Sequence, residues 1–392
     1  MKKIVLFLLC VAGCWCGLMA QNKGQVVTGA ERTDEYLPLL QGKRVGVLSN
    51  QTGVIGKEHL VDFLHRQGVN IVCIFSPEHG FRGTADAGEH VSSSVDAKTG
   101  IPIKSLYDGN TGKPSDAVMQ SIDLLVFDLQ DVGLRFYTYL TTMVRMMDAC
   151  ATNHVKMVIL DRPNPNGHYV DGPILDMKYR SAVGWIPVPV VHGMTLGEMA
   201  GMVNGEQWLT NGAQCDLTVV KCKNYTHSTL YELPVAPSPN LKNMRAVYLY
   251  PSLCYFEATP VSLGRGTDAA FQQYGHPNMS GYGYSFTPRS IVGAKFPPQL
   301  DRLCHGVDLR TVPSNEELFR NGVDLNYLID AYNNLHLDDF FFNSFFERLI
   351  GVGYVRKMIE EGKSAAEIKA CWKTDVEKFK QQRKPYLLYS EQ

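Results

Sequence analysis

Short, nearly continuous runs of apolar residues recur through the first half of the chain. Unbroken apolar character, rather than alternation, is typical of strands in a parallel sheet that is covered on both faces. We predict four such strands, at residues 44–48, 70–75, 124–127 and 155–160.

Helical patterns lie between these runs. Residues 57–67 form one, and in residues 139–150 the apolar side chains repeat at i, i+3, i+4 and i+7, which is one face of a helix. A strand, a helix and a second strand at this spacing make a βαβ unit. The sequence therefore predicts an α/β fold with a Rossmann-like, doubly wound, mostly parallel sheet.

The pattern changes near residue 223, where the chain becomes rich in proline, tyrosine and glycine. We predict a Rossmann-like catalytic domain at residues 42–222, preceded by a linker at residues 21–41. Residues 223–392 are expected to form a second, smaller α+β domain that contributes to the same cleft.

Two capping boxes predict helix starts. Thr195 with Glu198 marks one, and Ser364 with Glu367 marks a terminal amphipathic helix that we expect to run to Arg383.

The first twenty residues have the pattern of a secretory signal peptide. Lys2 and Lys3 precede an apolar stretch at residues 4–11, which is too short to span a membrane. Cleavage after Ala20 would release a soluble protein into the periplasm or cell envelope. The alternative is a lipoprotein, because the sequence before Cys14 resembles a lipobox; this lipid anchor is the one membrane contact that we expect.

Composition excludes several classes of function. The net charge of −1 on 392 residues gives no electrostatic basis for binding nucleic acid. Neither a phosphate-binding Walker loop nor a GxGxxG motif after a strand occurs, so we expect no nucleotide and no cofactor. His79, His90 and His192 suggest a metal site, but their spacing matches no standard ligand pattern, and we predict none.

Each predicted strand runs into a polar loop at its carboxyl end. In open parallel sheets the ligand crevice lies outside these ends, so the loops should converge on one site. The loops are SNQTG (49–53), SPEHGFR (76–82), DLQDVGLR (128–135) and DRPNPNG (161–167).

Glu78 and His79 are the leading catalytic candidates. They follow a buried strand, and apolar neighbours such as Phe75 and Phe81 favour a protonated Glu78, which a general acid requires. His79 would orient this acid or share its proton. The alternative is a solvated turn without a catalytic role.

Asp128 and Asp131 are the candidates for a second catalytic carboxylate, with Arg135 nearby to keep one of them ionised. Two carboxyl groups in different environments are the usual equipment for cleaving a glycosidic bond. The alternative is that Asp128 only binds loop amides.

The remaining loop residues are assigned to substrate binding. Arginine recognises a carboxylate through two parallel hydrogen bonds, and an aromatic ring offers a sugar a flat face. Asp161 has a structural alternative beside Arg162, and Glu257 is either a ligand contact or the partner of Arg265. The predicted set is Asn50, Arg82, Arg135, Tyr137, Asp161, His192, Glu257 and Arg265.

Eight ordered motifs between residues 42 and 390 resemble those of the NamZ-type exo-β-N-acetylmuramidases. They are SNQTG, SPEHGFRG, VFDLQDVGLRFYTY, LDRPNPNG, HGMTLGE, PSPNL, YPSLCYFEAT and SLGRGT. The resemblance implies an exported glycosidase that removes terminal N-acetylmuramic acid from the non-reducing end of peptidoglycan fragments, with Glu78 as the leading catalytic carboxylate. Ala258 stands where we would expect glycine.

Two other functions stay open at this point. One is a non-catalytic lipoprotein that binds cell-wall sugars, and the other is a metal-dependent amidase or deacetylase acting on the same polymer. The resemblance also implies a lactyl carboxylate on the substrate, for which Arg82, Arg135 and Arg265 are candidates.

Overall fold

A mostly parallel sheet forms the centre of the first half in the computed structural model, which describes residues 24–78, 80–81, 93–106 and 112–392. The strands of the first half are β1 (Val45–Ser49), β2 (Val54–Ile55), β3 (Glu58–His59), β4 (Ile71–Ser76), β5 (Ser94–Val95), β6 (Pro102–Ser105), β7 (Leu124–Asp128), β8 (Lys156–Leu160) and β9 (Leu217–Val220).

Within the described residues, seven of these strands form the central sheet in the order β5-β6-β4-β1-β7-β8-β9. All neighbours are parallel except β5, which runs antiparallel to β6 at the edge. The strand order reverses direction around β1, as a doubly wound sheet requires. The predicted fold class and its four strands are confirmed.

The burial of β7 explains why the strand pattern is continuous rather than alternating. Leu125 and Phe127 belong to one buried apolar cluster, whereas Leu124 and Val126 belong to another. Successive side chains of a strand point to opposite faces, so both faces of this sheet are covered.

The described α-helices are α1 (Thr33–Leu40), α2 (Leu60–Arg66), α3 (Asp116–Met119), α4 (Tyr139–Asn153), α5 (Leu196–Gly205), α6 (Met244–Leu253), α7 (Asn315–Asn321), α8 (Asn326–Leu335), α9 (Phe346–Ile350), α10 (Tyr354–Glu360), α11 (Ala365–Ala370) and α12 (Lys373–Arg383). In the part of the chain that the structure describes, no helix is both long and apolar enough to cross a membrane.

Two helices have boundaries that differ from the predicted ones. The predicted helix at 57–67 begins only at Leu60, because Glu58 and His59 pair with β2 in a short antiparallel ribbon. The predicted terminal helix is two helices, α11 and α12, separated at Cys371 and Trp372. Both predicted capping boxes are confirmed.

The second half contains a small antiparallel sheet in the order β10-β12-β11, formed by β10 (Gln273–His276), β11 (Tyr284–Phe286) and β12 (Cys304–Asp308). The larger apolar cluster joins both halves, since it includes Met143 of α4, Leu253 of α6 and Phe346 of α9.

Candidate active site

Glu78 lies in the turn that follows β4, the strand next to β1 in the sheet. The backbone N–H of Gly80 donates to the carbonyl of Pro77 at 3.1 Å and closes this turn. The Thr138 hydroxyl donates to Oε2 of Glu78 at 2.5 Å. Because Thr138 is the N-cap of α4, the carboxyl group of Glu78 lies at the amino end of that helix.

A cavity of about 70 Å³ opens beside Glu78. Its lining comes from both halves of the chain, and four predicted site residues meet there: Glu78, Tyr137, Glu257 and Arg265. The other lining residues are Phe136, Thr138, Val183, Ser238, Leu241, Tyr250 and Phe271. The sequence predicts a cleft between the two halves, but it does not predict these seven residues as part of the site.

Glu257 and Arg265 form an ion pair in this lining. Nε of Arg265 donates to Oε1 of Glu257 at 3.0 Å, and Nη2 donates to the same oxygen. The guanidinium also lies 5.1 Å from the ring centre of Phe271. Burial acts to lower the pKa of Arg265, but the Glu257 carboxylate outweighs burial and holds that pKa above its usual range.

The loop that carries Arg265 is fixed by its glycines. Gly266 has a φ of +81°, and a Cβ atom there would lie 2.4 Å from the carbonyl oxygen of Arg289. No larger residue fits without moving this backbone. Arg265 is therefore held from both its backbone and its side chain.

Tyr137 forms part of the lining and is itself anchored. Its hydroxyl donates to the carbonyl of Pro237 at 2.8 Å, and its ring meets Tyr139 edge to face at 4.7 Å. Asn50 lies behind this layer, because its amide donates to the Tyr139 hydroxyl at 2.6 Å and its Oδ1 accepts from Thr52. Asn50 thus supports the wall and does not line the cavity, and its predicted substrate contact stays a prediction.

Asp128 is paired away from the cavity. Its carboxylate accepts from Nε and Nη2 of Arg162 at 2.5 Å and 3.0 Å, and the pair is buried. We predicted Arg135 as the nearby cation, and this prediction is wrong. Asp128 is absent from the described lining.

Asp131 is also buried outside the lining. Oδ2 accepts from the Gly133 N–H at 2.6 Å, while Oδ1 has no hydrogen-bond partner among the described residues. Burial raises the pKa of the Asp131 carboxyl to about 7.

Arg135 does not reach the cavity. Its two terminal nitrogens donate to the carbonyls of Pro173, Val188, Leu349 and Ile350 at 2.7 to 3.0 Å. Burial lowers the pKa of this fully buried arginine to about 10. Arg135 ties the first half to α9, and its predicted substrate contact stays a prediction.

Asp161 likewise serves the fold. Its carboxylate accepts from the Thr195 hydroxyl at 2.7 Å, the Gly197 N–H at 2.9 Å and the Tyr389 hydroxyl at 2.6 Å. Burial raises the pKa of Asp161 to about 6, although these hydrogen bonds oppose the rise. Arg162, the partner that we predicted, is not among these donors, and Asp161 is absent from the described lining of the cavity at Glu78.

His192 is buried beside Arg383. Its Nδ1 accepts from the Met194 N–H at 3.2 Å, and burial, with help from Arg383 and Arg135, lowers its pKa to about 3. The described lining of the cavity does not include His192, and its predicted ligand contact stays a prediction. His79 and Arg82 lie outside the described residues, and their predicted roles stay predictions.

Two family models match this chain. The one described as exo-beta-N-acetylmuramidase NamZ, N-terminal, matches residues 45–245, and its C-terminal counterpart matches residues 248–389. A protein of Bacillus subtilis (strain 168), named peptidoglycan beta-N-acetylmuramidase NamZ, is 37% identical over 390 residues, covering 94% of this chain and 92% of the relative.

Two crystal structures of DUF1343 family proteins from Bacteroides fragilis are also similar. The first has a TM-score of 0.88 and 62% identity, and the match covers 94% of this chain and 100% of the other. The second has a TM-score of 0.78 and 29% identity, and covers 93% and 99%.

Proposed function

This chain belongs to the exo-β-N-acetylmuramidase NamZ family, and we propose that it releases terminal N-acetylmuramic acid from the non-reducing end of peptidoglycan fragments. It is a glycoside hydrolase. The observation that carries the assignment of its site is that Glu78 and the Glu257–Arg265 pair, far apart in the sequence, line one cavity.

Glu78 acts as the general acid in this proposal. A glycosidic bond breaks when the leaving oxygen receives a proton while positive charge develops at the anomeric carbon. The Thr138 hydroxyl, 2.5 Å from Oε2, fixes the orientation of the carboxyl group. Thr138 is thus a positioning residue for the acid.

Arg265 binds the lactyl carboxylate of the substrate. A guanidinium has five N–H donors, and Glu257 occupies two of them, the one on Nε and one of the two on Nη2. Donors remain for a second carboxylate, and the ion pair with Glu257 holds the guanidinium plane in place before the substrate arrives. N-acetylglucosamine has no lactyl group, so Arg265 would supply the preference for muramic acid.

Glu257 is the second carboxylate of the described lining, whereas Asp128 and Asp131 are not in it. We assign Glu257 to holding Arg265. The 2-acetamido group of the substrate is then available as the internal nucleophile, which is one of the known exceptions to the scheme with two carboxylates.

The first test is hydrolysis of a chromogenic β-N-acetylmuramide, with the matching β-N-acetylglucosaminide as control. We expect wild type to cleave only the muramide, and Glu78→Gln to lose about 100-fold or more in kcat, as removal of a general acid costs. A folded wild type without activity would favour the sugar-binding lipoprotein. Activity that survives Glu78→Gln would move the acid to another residue.

We also propose export through the N-terminal signal at residues 1–20, which lie outside the described residues. N-terminal sequencing and mass measurement of the mature protein test this. A start at Gln21 supports soluble release, and a lipid-modified Cys14 supports the anchored form. An unprocessed Met1 would contradict both.

A further inference from the structure

A second cavity lies against α7, α11 and α12. Its volume is about 500 Å³, within the range of roughly 300–1,000 Å³ that small-ligand sites occupy. Among the described residues, it shares no lining residue with the cavity at Glu78. The glycosidase mechanism proposed above uses none of its side chains.

The wall of this cavity is built around Asp171. Its carboxylate accepts from the indole N–H of Trp372 at 2.9 Å, the backbone N–H of Val323 at 2.9 Å and Nζ of Lys369 at 2.6 Å. A Cβ atom at Gly322 would lie 2.3 Å from Oδ2 of Asp171, so only glycine permits this approach. The cavity is therefore pre-formed.

Positive charge exceeds negative charge in the lining. The charged lining residues are Arg320, Lys369, Lys373, Lys380, Asp171 and Glu377. Both carboxylates are already paired, Asp171 with Lys369 and Glu377 with Lys380 at 2.8 Å. Arg320 and Lys373 are exposed and have no ion-pair partner among the described residues. This local excess contrasts with the net charge of −1 on the whole chain.

Apolar and aromatic side chains complete the lining, among them Tyr169, Phe319 and Val376. A cavity of this kind suits a ligand that combines a carboxylate with an apolar or flat portion. Peptidoglycan offers both, because its lactyl groups and its peptide substituents can each present a carboxylate.

We propose that this cavity is an accessory site that binds a carboxylate-bearing part of the peptidoglycan strand outside the catalytic cavity. The inference rests on the proposed function, since it takes the ligand from the polymer on which the enzyme acts. A polymer held at two sites dissociates more slowly than one held at its end alone. A monosaccharide substrate cannot use the second site.

The test compares two double charge reversals of equal size. Arg320→Glu with Lys373→Glu changes the cavity, and Arg348→Glu with Lys363→Glu changes two exposed cations that do not line it. We expect the cavity variant to raise KM for glycan strands about 10-fold while its hydrolysis of the chromogenic muramide equals that of wild type. Strands with and without peptide identify which carboxylate is bound.

Binding to insoluble peptidoglycan by the Glu78→Gln protein, with and without each double reversal, measures the accessory site independently of catalysis. If wild type fails to cleave the muramide, the proposed function is wrong. The binding assay still shows in that case whether the accessory site binds peptidoglycan. The inference is overturned if both double variants bind and cleave strands alike, or if the cavity variant loses hydrolysis of the chromogenic muramide.

Discussion

The short contact between Thr138 and Glu78 offers a test of the catalytic role proposed for Glu78. Thr138→Val keeps the shape of the side chain but removes the hydroxyl donor. We expect kcat on the muramide to fall about 10-fold with little change in KM, because an intramolecular hydrogen bond contributes a net of roughly 0.5–1.5 kcal/mol. Thr138→Ser restores the hydroxyl and should recover most of kcat. An equal fall in kcat for Thr138→Val and Thr138→Ser would contradict a positioning role for the Thr138 hydroxyl.

Arg265 is expected to decide substrate preference. Arg265→Lys keeps the positive charge but loses the planar fork that can hold Glu257 and a substrate carboxylate together. We expect kcat/KM to fall about 10-fold or more on the muramide and much less on an amide of its lactyl group. Measuring both substrates with both proteins gives the coupling between Arg265 and that carboxylate. An equal fall in kcat/KM on the two substrates would show that Arg265 does not recognise the lactyl carboxylate.

Asp131 should impose a pH dependence on stability. Burial raises its pKa to about 7 in the folded chain, against about 3.9 for an unfolded aspartate. Between these values the folded state binds more protons than the unfolded state, so the free energy of unfolding falls as pH rises from about 4 to about 7 and then levels.

Asp131→Asn tests this dependence, because its side-chain oxygen can still accept from the Gly133 N–H. Urea unfolding of both proteins at several pH values should show wild type losing stability relative to the variant across that window. A constant difference in the free energy of unfolding would mean that Asp131 titrates normally.

At the level of elements, the C-terminal segment closes on the start of α5. The Tyr389 hydroxyl donates to Asp161 and accepts from the Cys222 N–H at 2.9 Å, and the backbone N–H of Leu388 donates to Glu198 at 2.8 Å. We expect Tyr389→Phe to lower the free energy of unfolding by about 1–3 kcal/mol, since buried partners lose their bonds.

Tyr386→Phe is the matched control for this prediction, because the Tyr386 hydroxyl binds Glu206 closer to the surface. Tyr386→Phe should lower the free energy of unfolding by less than Tyr389→Phe does. Both variants should keep activity, since neither tyrosine lines the cavity at Glu78. Chemical denaturation and the muramide assay measure the two effects. If Tyr389→Phe and Tyr386→Phe lower the free energy of unfolding by similar amounts, burial of the Tyr389 hydroxyl adds nothing to stability.

The sequence predicts the sheet well and the site only in part, for a physical reason. Strand burial depends on local composition, as the two clusters that divide β7 show. Whether a polar loop residue meets substrate depends on partners that are distant in the sequence. Arg135 binds carbonyls of α9 and Asp161 binds Tyr389, and no local pattern reveals either contact. Thr138 lies inside the motif VFDLQDVGLRFYTY, and this is the one feature of the sequence that points to it.

At the scale of the whole molecule, the two halves share one interior. The larger apolar cluster contains Met143 from the first half with Phe346 and Phe379 from the second. The Arg135 guanidinium and the Asp161 carboxylate add buried polar contacts across the same junction. Separating the halves would expose all of these groups to water, so we expect neither to be stable alone.

One cooperative unfolding transition should follow from this shared interior. Calorimetry of the chain without its first twenty residues is expected to give a single peak whose calorimetric and van't Hoff enthalpies agree. Leu253→Ala, a buried change in α6, should move the whole peak, because the cost of about 2–5 kcal/mol falls on one folding unit. Two peaks, with only the peak of the second half responding to Leu253→Ala, would show that the halves fold independently and that the cavity at Glu78 forms only when they dock.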